Sequence, residues 1–266
     1  MTGSQRIAAL LEARAKLEPG HVWLAGAGPG DPGMLTLDVL SALAQADVVV
    51  YDALVDKSIL DLAEGAELVF AGKRGGKPSA TQDDITARLI AYARDGRRVL
   101  RLKGGDPFIF GRGGEEALAL VKAGIPYRIL PGVTSALAGL AESGIPATMR
   151  GINKAFTLAT GHAAGTPDDL DWAALARTGQ PIVVYMGLKN LPIIVKALLS
   201  AGLGANTPAA VIASATTAAK RIVTGTLSTI HADATEAGLE APAIIVIGDI
   251  VSMRDMLLAL PSEPPA

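Results

Sequence analysis

Hydrophobic and polar positions follow two rhythms along this chain. Short runs rich in β-branched residues, His21 to Ala25, Val48 to Tyr51, Leu68 to Ala71, Val99 to Leu102 and Tyr127 to Leu130, read as five strands. Between them, apolar residues recur at helical spacing over Thr36 to Gln45, Gln82 to Arg94 and Gly114 to Ala123. Thr81, followed three positions later by Asp84, has the pattern of a helix start. Alternation of this kind gives an α/β fold with a largely parallel N-terminal sheet. A second series follows: Phe156 to Thr160, Ile182 to Tyr185, Ala209 to Ala213, Arg221 to Gly225 and Ile244 to Ile247. Arg221 begins too soon after Ala213 for a helical crossover, so a mixed C-terminal sheet is expected.

The turn-rich Ser143-Gly144-Ile145-Pro146 segment suggests a boundary near 147–151, separating an N-terminal domain over 20–148 from a C-terminal one over 149–260. Ahead of them, Ile7, Leu10, Leu11, Arg14 and Leu17 lie at helical spacing before Pro19-Gly20. They predict an amphipathic extension over 1–19, outside the main fold. Residues 261–266 are expected to form a disordered tail.

Composition narrows the chemistry. The 266 residues are 50% hydrophobic, with 24 Lys plus Arg against 26 Asp plus Glu and no cysteine. Disulfides, thiolate metal sites and cysteine nucleophiles are therefore excluded. Three scattered histidines, His21, His162 and His231, make metal catalysis unexpected. A net charge of −2 and only 4 Phe, 4 Tyr and 2 Trp argue against nucleic acid as partner. Apolar runs are far shorter than the roughly 20 residues that span a bilayer, and the charged N-terminus lacks a signal-peptide core, so a cytoplasmic protein is expected.

Candidate chemistry gathers at strand ends. The first strand runs into Gly26-Ala27-Gly28-Pro29-Gly30-Asp31-Pro32-Gly33, which departs from a dinucleotide fingerprint because Asp31 replaces its third glycine and Pro29 lacks an amide proton. The fourth runs into Lys103-Gly104-Gly105-Asp106-Pro107-Phe108-Ile109-Phe110-Gly111-Arg112-Gly113-Gly114-Glu115-Glu116, glycines for close approach interleaved with charges that orient a polar ligand. The fifth leads to Pro131-Gly132-Val133-Thr134-Ser135, whose hydroxyls suit helix capping or a ligand. Asp52 and Lys73-Arg74 follow the second and third strands, and Met186 follows Ile182 to Tyr185. Taken singly, each has a plain structural explanation: a turn, a helix-start pair, core filling. Together they lie where open α/β sheets bind ligands.

These segments, with Val22 to Pro32, Val50 to Val55, Arg101 to Glu116, Thr160-Gly161-His162, Tyr185-Met186-Gly187 and Ala241-Pro242-Ala243, resemble the tetrapyrrole methylases over about residues 20 to 258. Ala71 to Arg74, taken together with Gly104 to Glu116, is more similar to the branch acting on uroporphyrinogen III than to its paralogues. The resemblance implies two α/β domains, a homodimer and S-adenosylmethionine as methyl donor. It places the donor on Pro29, Gly104, Gly105, Asp106, Ile109, Thr134, Ser135, Met186, Ala215, Pro242 and Ala243. The implied reaction methylates uroporphyrinogen III at C2 and C7, giving precorrin-2 and two S-adenosylhomocysteine. Lys103, Arg112 and Arg150 are the expected partners of the substrate carboxylates. For proton transfer the resemblance suggests Asp52 as acceptor and Lys73 as donor, with Arg112 and Glu115 as the competing pair.

Met149 stands where relatives commonly have His, Glu142 where Tyr is frequent, and Ala215 where Gly is frequent. No dehydrogenase or ferrochelatase pattern accompanies the motifs, so a single-function form is expected. The competing functions are a paralogous methylase acting on a later corrin intermediate, a nucleotide-binding oxidoreductase suggested by Gly26 to Gly30, and a non-catalytic ligand-binding regulator.

Overall fold

The computed structural model describes residues 2–72, 81–166 and 169–259. Its contacts divide the chain into two units, 1–134 and 135–266. The first holds α1 (Gly3–Glu12), β1 (Val22–Gly26), α2 (Leu37–Leu43), β2 (Val48–Tyr51), α3 (Lys57–Leu60), β3 (Glu67–Phe70), α4 (Gln82–Arg94), β4 (Val99–Lys103), α5 (Gly113–Lys122) and β5 (Tyr127–Leu130). The five strands are all parallel, in the order β3-β2-β4-β1-β5. Because β4 inserts between β2 and β1, the loops that follow β1 and β4 leave the sheet side by side.

Both faces of this sheet are covered, so its strands read as continuous apolar runs. Trp23, Ala25, Val49, Leu100 and Leu102 pack with α2 and α3 on one face. Val22, Leu24, Val48, Val50 and Val99 pack with α4 and α5 on the other. Each buried Val or Leu side chain among these contributes about 1.5–3 kcal/mol relative to exposure. Helix α4 starts as its sequence predicts: Thr81 Oγ1 accepts the Asp84 N–H at 3.1 Å and Asp84 Oδ2 accepts the Thr81 N–H at 2.8 Å.

The N-terminal extension differs from the expectation. Helix α1 buries none of its residues and ends at Glu12. Leu17, read as part of that helix, instead belongs to the first core at 2% exposure. The Gln45 side chain holds this stretch extended, accepting the Leu17 N–H at 2.9 Å and donating to the Ala15 carbonyl at 3.4 Å.

The second unit holds α6 (Ser135–Glu142), β6 (Thr157–Thr160), α7 (Trp172–Arg177), β7 (Ile182–Tyr185), α8 (Leu191–Ser200), β8 (Pro208–Ala213), β9 (Arg221–Thr226), α9 (Ile230–Glu236), β10 (Ala243–Ile247) and α10 (Met253–Leu258). Its sheet order is β6-β7-β10-β8-β9. β6 and β7 are parallel, and β10 runs antiparallel to both β7 and β8. β8 and β9 form an antiparallel pair, which makes the sheet mixed. The division after Thr134 falls earlier than the expected 147–151. Helix α6 packs in the second unit, where Ala136 and Leu140 join Val183, Ile212 and Ile244 in one core. Ser143 to Pro146 is thus a turn within that unit. The predicted tail lies outside the described residues.

Candidate active site

In the first unit three glycines from three strand ends touch backbone to backbone. A Cβ on Gly26 would lie 2.5 Å from the Gly105 carbonyl oxygen and 2.7 Å from Gly132 Cα. The Gly28 N–H donates to the Gly105 carbonyl at 3.1 Å, and the Gly105 N–H returns to Gly28 at 2.6 Å. Pro29 follows directly, half-buried. Asp106 fastens the third segment: its Oδ2 accepts the Gly132 N–H at 3.0 Å and its Oδ1 the Phe108 N–H at 2.8 Å. Ile109 closes the turn by donating to the Asp106 carbonyl at 3.3 Å. Thr134 lies two residues beyond Gly132, 7% exposed.

Asp52 joins this cluster from β2. Its Oδ1 accepts the Leu54 N–H at 3.0 Å and the Gly104 N–H at 3.4 Å. A Cβ on Gly104 would come within 2.6 Å of Leu54 Cβ, so glycine is what allows the two loops to meet. Asp52 Oδ2 has no hydrogen-bond partner among the described residues, and Lys73 lies outside them.

Lys103 departs from its expected role. Its side chain is buried, and Nζ donates to Glu116 Oε1 at 3.3 Å. The same oxygen accepts Arg101 Nε at 3.1 Å and Gln82 Nε2 at 2.9 Å. Burial chiefly, and then Arg101, push the Lys103 pKa below 10.5 against the opposing pull of Glu116 and Asp52. Lys103 therefore supports the loop from beneath and does not reach for a substrate carboxylate. Arg101 and Glu116 received no role from sequence reasoning. The signal was present: two cations two positions apart on an otherwise apolar strand face the same helix-covered side.

Arg112 and Glu115 lie at the far end of the same loop, exposed. Arg112 takes a left-handed φ of 58° at the start of α5. Its Nε and Nη2 grip Glu115 Oε1 and Oε2 at 2.9 and 2.5 Å. That hydrogen bonding lowers the Glu115 pKa below the usual carboxylate value.

The second unit gathers its own candidates. Tyr185 Oη accepts the Ala136 N–H at 3.1 Å, tying the start of α6, beside Ser135, to the end of β7, beside Met186. Met186 has a left-handed φ of 53° and is 51% exposed. The Ser214 N–H donates to the Pro242 carbonyl at 2.8 Å, and Ala243 pairs with Ala213, which brings Pro242 and Ala243 beside Ala215. The Ala241–Pro242 bond is cis. Arg150 sits exposed in a turn fastened by Asn153, whose Oδ1 accepts the Met149 N–H at 2.9 Å, and it makes no ion pair with a described residue. Among the described residues no cluster of His, Asp and Glu could hold a metal ion, and no helix is long and apolar enough to cross a membrane.

A parallel five-stranded sheet followed by a mixed one, with glycine- and hydroxyl-bearing segments gathered at strand ends in each, defines a two-unit α/β protein. The chain belongs to the tetrapyrrole (corrin/porphyrin) methylases, whose family model matches residues 21–231. It is 52% identical over 244 residues to a uroporphyrinogen-III C-methyltransferase of Sinorhizobium, covering 91% of this chain and 87% of the relative. A siroheme synthase of Thiobacillus denitrificans is 44% identical over 95% of this chain, which spans only 53% of that longer protein. Among solved structures, a uroporphyrin-III C-methyl transferase from Thermus thermophilus complexed with S-adenyl homocysteine is 39% identical. It superposes with a TM-score of 0.74, covering 87% of this chain and 99% of that one.

Proposed function

We propose that this chain is an S-adenosylmethionine-dependent methyltransferase that methylates uroporphyrinogen III at C2 and then C7, giving precorrin-2 and two S-adenosylhomocysteine. It works in this reading as a cytoplasmic homodimer, on the branch toward sirohaem, cobalamin and related tetrapyrroles. The observation that carries the reading is the meeting of Gly26, Gly105 and Gly132, which joins three sequence-predicted ligand loops in one unit. The high identity to a methyltransferase of that name supports the substrate.

The residues suit such a donor. Gly104 and Gly105 carry no side chain, which lets the loop after β4 lie against the loops after β1 and β2. The Ser135 hydroxyl and the Pro242 and Ala243 backbone add oxygen acceptors that favour a cation, and the exposed Met186 adds a polarisable surface. S-adenosylmethionine supplies an electrophilic methyl group on a sulfonium. The pyrrole carbon is the nucleophile, so the chain's main task is alignment of the two partners. The residues assigned to the donor, as the resemblance implies, are Pro29, Gly104, Gly105, Asp106, Ile109, Thr134, Ser135, Met186, Ala215, Pro242 and Ala243.

Arg112 and Arg150 take substrate carboxylates, Arg112 by exchanging Glu115 for one of them in the same forked geometry. Asp52 accepts the proton that leaves the macrocycle. Among the described residues its Oδ2 has no hydrogen-bond partner, whereas Glu115 has both oxygens engaged and its basicity reduced by Arg112. Calorimetric titration tests the donor assignment: S-adenosylhomocysteine binds and NAD or NADP does not. The reverse result would support the oxidoreductase alternative.

A further inference from the structure

The turn from β8 to β9 carries Ala215 between two residues with left-handed backbone, Ser214 at φ 49° and Thr216 at φ 65°. Such a conformation is disfavoured for a side-chain-bearing residue, most of all a β-branched one, and persists only where the surroundings over-determine it. Glu142, the last residue of α6, supplies much of that determination. Its Oε2 accepts the Thr216 N–H at 3.0 Å and pairs with Lys220 Nζ at 3.3 Å. The Lys220 ammonium also donates to the Glu142 carbonyl at 3.2 Å, satisfying one of the acceptors left open at a helix C-terminus.

The same helix touches the turn a second time. A Cβ on Gly139, one helical turn before Glu142, would lie 3.2 Å from the Cβ of Ala215. On its other side the turn is fastened by the Ser214 N–H bonded to Pro242. Helix α6 therefore begins at Ser135 and ends in a clamp on the turn that bears Ala215, so two of the proposed donor-binding segments share one rigid element.

We propose that Glu142 is a positioning residue for the methyl donor: with Lys220 it holds the Ser214–Thr216 turn in the shape that presents Ala215 to S-adenosylmethionine. This rests on the reading that Ala215 contacts the donor. A neutral acceptor meets the need of the Thr216 N–H, and the ion pair with Lys220 fixes the direction in which that acceptor points.

The test titrates S-adenosylhomocysteine into the full-length Glu142→Ala, Glu142→Gln, Lys220→Met and Ala215→Leu proteins, each checked for folding by circular dichroism, with donor KM and kcat measured in parallel. Glu142→Ala is expected to raise donor Kd and KM about 10-fold, the order expected for losing a charge-assisted hydrogen bond, and to change kcat at saturating donor by less than about 2-fold. Glu142→Gln, which keeps a carbonyl for Thr216, recovers most of the affinity, and Lys220→Met falls between. A merely structural role would lower thermal stability and leave the donor Kd of the folded protein unmoved. That result in Glu142→Ala overturns the proposal. If Ala215→Leu weakens donor binding while Glu142→Ala does not, the positioning role alone fails. If Ala215→Leu also leaves Kd unchanged, the turn is not part of the donor site and both readings fail.

Discussion

The Asp106 carboxylate reaches the main chain of Gly132, 26 residues away, and accepts its N–H at 3.0 Å while its other oxygen closes the turn at Phe108. One side chain thus holds the loop after β4 against the loop after β5. Asp106→Ala removes both acceptors and is expected to cost about 1–3 kcal/mol of stability, read by urea denaturation. Donor Kd should rise at least about 10-fold, because Gly104, Gly105 and Ile109 lose their common anchor. Unchanged donor affinity in the folded variant would remove this loop from the donor site.

The Gly26, Gly105 and Gly132 contact leaves no room for a methyl group. A Cβ on Gly132 would run into the Gly105 carbonyl and lie 2.7 Å from Gly26 Cα, both of them backbone. Gly132→Ala should cost about 3 kcal/mol, the upper end for overpacking. Gly114→Ala, in the first turn of α5 with nothing within 4 Å of the added carbon, should instead stabilise by about 0.5–1 kcal/mol. Thermal unfolding of the pair separates close packing from a general effect of added methyls.

Much of this was legible in the chain itself. Continuous apolar runs located the described strands to within one residue at either end, because the cores cover both faces of each sheet. The Thr81 and Asp84 helix start was equally plain, since capping is local. Three features were hidden for one shared reason: each depends on a partner distant in sequence. Leu17 looks helical until the Gln45 amide is seen to hold its backbone extended. Lys103 reads as a loop cation until Glu116 is found beneath it. Glu142 shows only as a departure from a frequent Tyr until Thr216 and Lys220 fold back onto it.

Glu116 neutralises two buried cations. Its removal in Glu116→Ala leaves Arg101 and Lys103 without a counter-charge and should cost about 3–5 kcal/mol, seen as loss of the folded state at low urea. Lys103→Met keeps the apolar stem and discards the charge, so it should be neutral or mildly stabilising. Since burial holds the Lys103 pKa below 10.5, the unfolded chain binds more protons than the folded one between the two values. The wild type therefore gains stability as pH rises toward 10.5, and Lys103→Met should lack that part of the gain. An identical alkaline profile in the two proteins would contradict the burial argument.

Arg112 and Glu115 form an exposed pair, so Arg112→Ala should alter stability by less than about 0.5 kcal/mol. If Arg112 serves the polyanionic substrate, turnover should fall about 100-fold while S-adenosylhomocysteine affinity stays within about 2-fold. Calorimetry showing lost donor binding would reassign the residue.

The reaction proposed for this chain is methyl transfer to carbon on a reduced tetrapyrrole. Anaerobic incubation of the purified chain with S-adenosylmethionine and uroporphyrinogen III, followed by mass spectrometry of the macrocycle, tests it directly. The expected product carries two added methyl groups, with two S-adenosylhomocysteine formed per macrocycle. An unmodified macrocycle, from protein that is folded and binds S-adenosylhomocysteine, would contradict it.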